Sequence, residues 1–251
     1  MCRRRFLGIF MKDYILILGK EISWYSILGM IGLVAAVILC IRRKKKYDFQ
    51  TDDLINLAGY AIVGGILGAK ALALLCMAPQ FIQYWEKIVW NEEFLRVILG
   101  NGFVYYGGFL GVLAAFFFYC RQYRLNYSRL LELIAPTIPL FHGFGRIGCY
   151  IAGCCGGIDG FPLQLVESAI NFCLVPVLLW AEKQPSLKGR GFLLYLLFYG
   201  SARFILEFFR GDPERGFLWI FSVSQWISAV LILAAIFLWS RVGKEERLPS
   251  D

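Results

Sequence analysis

Residues 22–46 read ISWYSILGMIGLVAAVILCIRRKKK. From Ile22 to Ile41 the run is uncharged and mostly apolar, and Arg42, Arg43, Lys44, Lys45 and Lys46 close it. About 20 such residues wind into roughly 30 Å of α-helix, the thickness of a bilayer's hydrocarbon core. A basic block directly after the run is what a membrane helix carries on its cytoplasmic side.

The rest of the chain repeats that pattern. Hydrophobic residues make up 59% of the 251 and charged ones 18%, with a mean hydropathy of +0.61. Those values exclude an ordinary soluble domain and predict an all-α, polytopic membrane protein. Seven spans are expected, near 22–41, 54–77, 103–120, 129–151, 165–181, 191–209 and 218–240. Connections are short and no span stands apart, so residues 1–251 are expected to form a single integral-membrane domain. The opening MCRRRFLGIFMKDYILILGK has a basic start and an apolar run but no small-residue cleavage site. It reads as an amphipathic segment at the membrane interface.

Charge placement sets the expected orientation. With the N-terminus outside, the loops after spans 1, 3, 5 and 7 are cytoplasmic and hold 14 basic residues: the five above, Arg121, Arg124, Arg129, Lys183, Lys188, Arg190, Arg241, Lys244 and Arg247. The outer loops hold four, Lys87, Arg96, Arg210 and Arg215. This predicts N-out, C-in, against the opposing vote of Arg3, Arg4, Arg5, Lys12 and Lys20. The net charge of +8 is then a topology signal and implies no nucleic-acid partner.

Within that frame, HGFGRIGCYIAGCCGG (His142 to Gly157) holds the only histidine, six of the 26 glycines and three of the eight cysteines. Arg146 lies at membrane depth, where an arginine is expensive and is usually kept to bind something. It has no acidic neighbour one turn away. Tyr199, Arg203 and Glu207 recur at i, i+4, i+8 and share one helix face. With Tyr25, Tyr106 and Glu167, these groups fall at the outer ends of five spans, suggesting an anionic ligand in the outer half of the membrane. Structural readings stand beside this one: Arg203–Glu207 as a self-neutralising pair, the tyrosines as belt residues, and the glycines as helix-packing positions.

Cys149, Cys154 and Cys155 lack the CxxC spacing of a zinc site, and the only histidine lies seven residues before Cys149. No metal and no cofactor is therefore expected. Cys40, Cys76, Cys120 and Cys173 are isolated in apolar spans and read as core residues.

In these motifs the chain resembles the bacterial phosphatidylglycerol–prolipoprotein diacylglyceryl transferase family. The family signature G-R-x-G-N-F-x-N-G-E is similar to GRIGCYIAGC here, keeping Gly145, Arg146, Gly148 and Gly153, with Gly157 following. Its P-x-Q-L-Y-E element resembles Pro162, Gln164, Leu165 and Glu167, with Val166 in place of tyrosine. Its Y-G-x-x-R-F-x-x-E-F-x-R element is intact in Tyr199, Gly200, Arg203, Phe204, Glu207, Phe208 and Arg210. Near the start, SWYSILGM resembles the family's W-Y-G segment, with Ser26 for glycine. The departures fall in the active centre: Tyr106 replaces the family's H-G-G histidine, Cys149, Ala152 and Cys154 replace Asn, Asn and Glu, and Phe161 stands where a histidine often precedes the proline.

The resemblance implies transfer of diacylglycerol from phosphatidylglycerol to the thiol of a lipobox cysteine in a prolipoprotein signal peptide. The product is a thioether and glycerol phosphate leaves. It places the protein in the bacterial cytoplasmic membrane with its site toward the outer leaflet. The thiolate is the nucleophile, and the departing phosphate gains charge, so Arg146 and Arg203 are its expected stabilisers. Glu207 orients Arg203, and Tyr199 donates to the headgroup. Tyr106 and His142 are the candidates for the proton, although a phenol near pKa 10 is a poor base. Tyr25, Gly148, Gly153, Gly157, Gln164 and Glu167 complete the expected substrate-binding set. The substrate brings its own thiol, so the cysteines are expected to fill the pocket without forming a lipid adduct. A non-catalytic lipid-binding protein and a membrane thiol-redox protein are the alternative readings.

Overall fold

The computed structural model describes residues 14–17, 20–83, 105–211 and 217–245. Arg3, Arg4, Arg5, Lys12, Lys87, Arg96, Arg215 and Arg247, which entered the orientation argument, lie outside the described residues. Backbone contacts gather into two compact units, Met1–Tyr47 with Ser128–Asp251, and Asp48–Tyr127.

The first unit opens with a hairpin, β1 (Tyr14–Ile17) paired antiparallel to β2 (Lys20–Ser23), Tyr14 opposite Ser23. The described part of the N-terminal segment is thus extended. Helix α1 (Trp24–Arg43) follows at once, because Ser23 has extended backbone angles and its Oγ accepts the Ser26 N–H at 3.2 Å. Met30, Leu33, Val34, Val37 and Ile38 are all exposed along it. In water that would be costly; against lipid tails it is the expected outer surface. The inner face packs closely, since a Cβ on Gly32 would lie 2.9 Å from Phe144 Cβ.

The expected span 129–151 is two helices, and the reason is in the sequence. Pro136 lacks an N–H and disfavours helical angles in Ala135 before it. The chain turns there between α4 (Tyr127–Ile134, a helix that begins in the other unit's last residue) and α5 (Thr137–Ile151). Helices α6 (Leu163–Ala181) and α7 (Gly191–Leu206, continued as one 3₁₀ turn to Phe209) follow. A short hairpin, β3 (Phe217–Leu218) with β4 (Phe221–Ser222), leads into α8 (Val223–Glu245). Neighbours run α1–α5–α6–α7–α8.

The basic end of α1 is braced as well as charged. Arg43 donates to the Leu133 carbonyl, to the Glu132 carbonyl at 3.1 Å and to Glu182 Oε2 at 2.5 Å, while Lys46 also meets Glu182. Arg43 thereby satisfies carbonyls that the end of α4 leaves without helical partners. Burial alone would raise the Glu182 carboxyl, but Lys46 and Arg43 hold it below the ordinary glutamate value. Glu132 turns its side chain the other way and accepts the Phe192 N–H at 3.0 Å, capping the start of α7.

The second unit pairs α2 (Thr51–Gln83) with α3 (Tyr105–Gln122). Gly64, Gly68, Gly107 and Gly111 bring the two backbones together, and a Cβ on Gly64 would lie 2.6 Å from Gly111 O. Small residues at a helix contact are a common packing device in membranes.

Among the described residues, five helices are long and apolar enough to cross a membrane: Trp24–Tyr47, Thr51–Leu75, Leu163–Ala181, Gly191–Phe209 and Val223–Arg241. The protein is an all-α integral membrane protein.

Candidate functional site

Four helices of the first unit meet at one end. Along α5, His142, Arg146 and Cys149 follow at i, i+4, i+7 and share a face. Gln164 and Glu167 lie in the first turns of α6, and both are buried. Tyr199 and Arg203 come from α7, with Glu207 on its 3₁₀ continuation. Tyr25 sits in the first turn of α1 and packs on α5, where a Cβ on Gly148 would lie 3.0 Å from its Cδ2.

Glu167 is the hub. Its Oε1 accepts from Arg203 Nη1 at 2.6 Å, and its Oε2 lies 2.6 Å from Arg146 Nε. Arg203 Nη2 is 2.9 Å from Glu207 Oε2, and Arg210 Nη1 is 3.8 Å from that same oxygen. The partner of Arg146 is therefore on another helix, out of reach of any i, i+4 rule. No acidic residue lies one turn away on α5, and Glu167, expected in the substrate-binding set, lies between the two guanidiniums.

Among the described residues, Glu167 and Glu207 are met by Arg146, Arg203 and Arg210, a network of charges held in a low-dielectric place. Burial ranks the members: side-chain exposure is 5% for Arg203, 4% for Glu167 and 1% for Glu207, but 12% for Arg146. Arg203 is clamped between two carboxylates, Arg146 is more open, and Arg210, at 17%, is more open still. Arg146 Nη1 lies 4.0 Å from Cys149 Sγ. The His142 ring lies 5.2 Å from that of Tyr199, which stacks on Tyr195 at 5.5 Å. His142 and Tyr199 thus belong to the same face as the ion cluster. Tyr106 opens α3 in the second unit, and its side chain lies outside the described residues.

The glycine-rich exit from α5 has a local cause. Gly153 is left-handed (φ 66°), its N–H bonds to Tyr150 O at 3.1 Å, and the Cys154 N–H returns to Cys149 O at 3.1 Å. Those two bonds around a left-handed glycine are a Schellman stop. Gln164 Nε2 donates to Cys154 O at 2.6 Å, and Gly211 N donates to Gly156 O at 3.0 Å. A Cβ on Gly157 would lie 2.7 Å from Phe161 O. Gly148, Gly153, Gly157 and Gln164, all expected to bind substrate, therefore also shape and hold this loop. As a result the three thiol sulfurs of Cys149, Cys154 and Cys155 lie within 4.8 Å of one another. The helix stop folds the chain back and so brings the three cysteines of the C-x₄-C-C run together.

Known proteins identify the family of the chain. The prolipoprotein diacylglyceryl transferase family matches residues 13–241. The phosphatidylglycerol–prolipoprotein diacylglyceryl transferase of Clostridium tetani is 36% identical, over 88% of this chain and 94% of that one. A Clostridium perfringens protein named phosphatidylglycerol–prolipoprotein diacylglyceryl transferase 2 is 30% identical over 89% and 92%. The Idiomarina loihiensis enzyme of the first name is 28% identical over 90% of each. The arginine–glutamate cluster thus sits in a chain that belongs to the prolipoprotein diacylglyceryl transferase family.

Proposed function

We infer that this protein moves the diacylglyceryl group of phosphatidylglycerol onto the thiol of a prolipoprotein's lipobox cysteine. The C–S bond forms as the glyceryl carbon loses its bond to the phosphate oxygen, and glycerol phosphate departs. The observation that carries this reading is the buried Arg146–Glu167–Arg203 bridge, two guanidiniums on one carboxylate. A phosphodiester beside those guanidiniums gains negative charge as its bond breaks. Stabilisation that grows in the transition state is what accelerates a reaction.

Arg146, the more exposed of the two guanidiniums on Glu167, meets the phosphate. Glu167 fixes both arginines, and Glu207 holds Arg203 from the far side. Tyr199 offers its hydroxyl to the headgroup, Tyr25 flanks the entry, and His142 lies one turn from Arg146 to receive a proton. The site faces the outer leaflet of the cytoplasmic membrane, N-terminus outside, a placement supported by the 14-to-4 bias of basic loop residues. The family match runs through both compact units, which supports reading 1–251 as one transferase-like domain.

Complementation of a strain depleted of its own transferase tests the function. Growth and thioether-linked lipoprotein should return with the wild-type gene and not with Arg146→Ala. Inserted protein that binds phosphatidylglycerol without restoring lipidation would make it a lipid-handling relative.

A further inference from the structure

We propose that Cys149, Cys154 and Cys155 hold one thiophilic d¹⁰ cation, zinc(II), whose fourth position takes the substrate thiol; this rests on the transferase reading above. The three sulfurs already lie within 4.8 Å of one another. Around a tetrahedral zinc with Zn–S near 2.3 Å, sulfurs stand about 3.8 Å apart, so the thiols close by roughly an ångström to bind. Thiolate ligands select zinc or copper(I) over harder cations.

The site is built from backbone. The Schellman stop delivers Cys154 back over Cys149, and the buried Gln164 anchors the Cys154 carbonyl. Cys155 has φ 58°, a conformation uncommon outside glycine that turns its thiol to the same side as the other two. Cys154 is exposed and Cys149 and Cys155 half-buried, so an ion and a substrate can both arrive.

Charge and chemistry agree. Zinc(II) with three thiolates carries −1, and the Arg146 guanidinium faces it, its Nη1 standing 4.0 Å from Cys149 Sγ. Three protein ligands and one exchangeable position is the pattern of a catalytic zinc, whereas a structural one is closed. A thiol that coordinates zinc is deprotonated. The lipobox thiol would displace water from the ion, lose its proton to solvent, and attack the glyceryl carbon with a sulfur lone pair. The C–O electron pair leaves with the phosphate oxygen toward Arg146, zinc stays +2, and nothing is oxidised or reduced. The ion thereby supplies the deprotonation that would otherwise need a side-chain base.

The test uses the full-length protein in detergent with reductant, stripped by chelator and titrated with cobalt(II). Expected is a sulfur-to-cobalt charge-transfer band saturating at one equivalent and displaced by zinc(II). The triple variant Cys149→Ser/Cys154→Ser/Cys155→Ser should lose the band while keeping wild-type helicity and melting temperature. Stripping should lower transfer to a lipobox peptide by about 10², the scale of lost base catalysis, and one equivalent of zinc should restore it. An absent band, an unchanged band in the triple variant, or a disulfide among the three that persists in the reduced protein overturns the site. Undiminished transfer by metal-free protein overturns the ion's role and leaves the transferase assignment standing. A cobalt band with no transfer in either form upholds the metal site and overturns the transferase reading instead.

Discussion

The first unit carries two ion clusters, one at each end of its helices, and they use the same residue types to opposite effect. At the basic end, Arg43 and Lys46 share the Glu182 carboxylate, and Arg43 spends donors on the carbonyls of Glu132 and Leu133. Lys46 is 52% exposed, so water shares the load there. At the other end, three arginines face two glutamates, and Arg203, Glu167 and Glu207 are 5% exposed or less. A partly exposed cluster that ties off helix ends acts as a brace, whereas ionised groups buried this deeply among apolar helices make a candidate ligand site.

Breaking the site cluster at its centre should show the largest effect. Arg203→Met leaves Glu167 and Glu207 buried without their shared cation, at a cost of about 3–5 kcal/mol. Thermal unfolding in detergent should show it, and yield should fall. Arg146→Lys separates binding from folding. An ammonium keeps the charge but cannot offer a guanidinium's fork, so turnover should fall roughly 10²–10³ in a protein that still melts near the wild-type temperature. Near-normal transfer, or disappearance of the variant from the membrane, would place Arg146 with the braces.

How much of this contrast was legible follows from what sequence records. Five of the expected spans have their counterparts because an apolar run of bilayer length states its own structure. The break at Pro136 was also readable, since proline removes a helical donor wherever it falls inside a run. The i, i+4 pair Arg203–Glu207 could be seen because one helix contains it. The Arg146–Glu167 contact could not, for it joins α5 to α6 and no periodicity reports a pairing between helices. Arg43 was read as a topology signal only, and its bonds to carbonyls of α4 depend on packing.

The brace should respond to pH. The folded Glu182 carboxyl sits below its ordinary value, so its contribution to stability is present above the unfolded value of about 4.3 and is lost as pH falls through the depressed folded one. Glu182→Gln should therefore cost about 1–2 kcal/mol near pH 7. The melting curves of variant and wild type should converge under acid conditions, while transfer by the folded variant stays near wild type. A gap that widened on acidification would reverse the assigned sign.

The smallest effect tests how the site end is made. Gly153 ends α5 at φ 66°, where an L side chain meets the following carbonyl oxygen at a cost of about 1–2 kcal/mol. Alanine also loses less chain entropy on folding, which offsets part of that. Gly153→Ala should then destabilise by about 1 kcal/mol, and Gly153→Asn by less, since asparagine tolerates the left-handed region. Gly148→Ala makes the control on the same helix: its added Cβ lies 3.0 Å from Tyr25 Cδ2 and 3.1 Å from Tyr25 Cα, so a backbone must move, and asparagine would be worse than alanine. Opposite orders of Ala and Asn at 153 and 148, read from melting temperatures, separate a turn requirement from a packing one. The same order at both positions would mean that α5 is stopped by packing, and the loop bearing Cys154 and Cys155 would owe its shape to Gln164 instead.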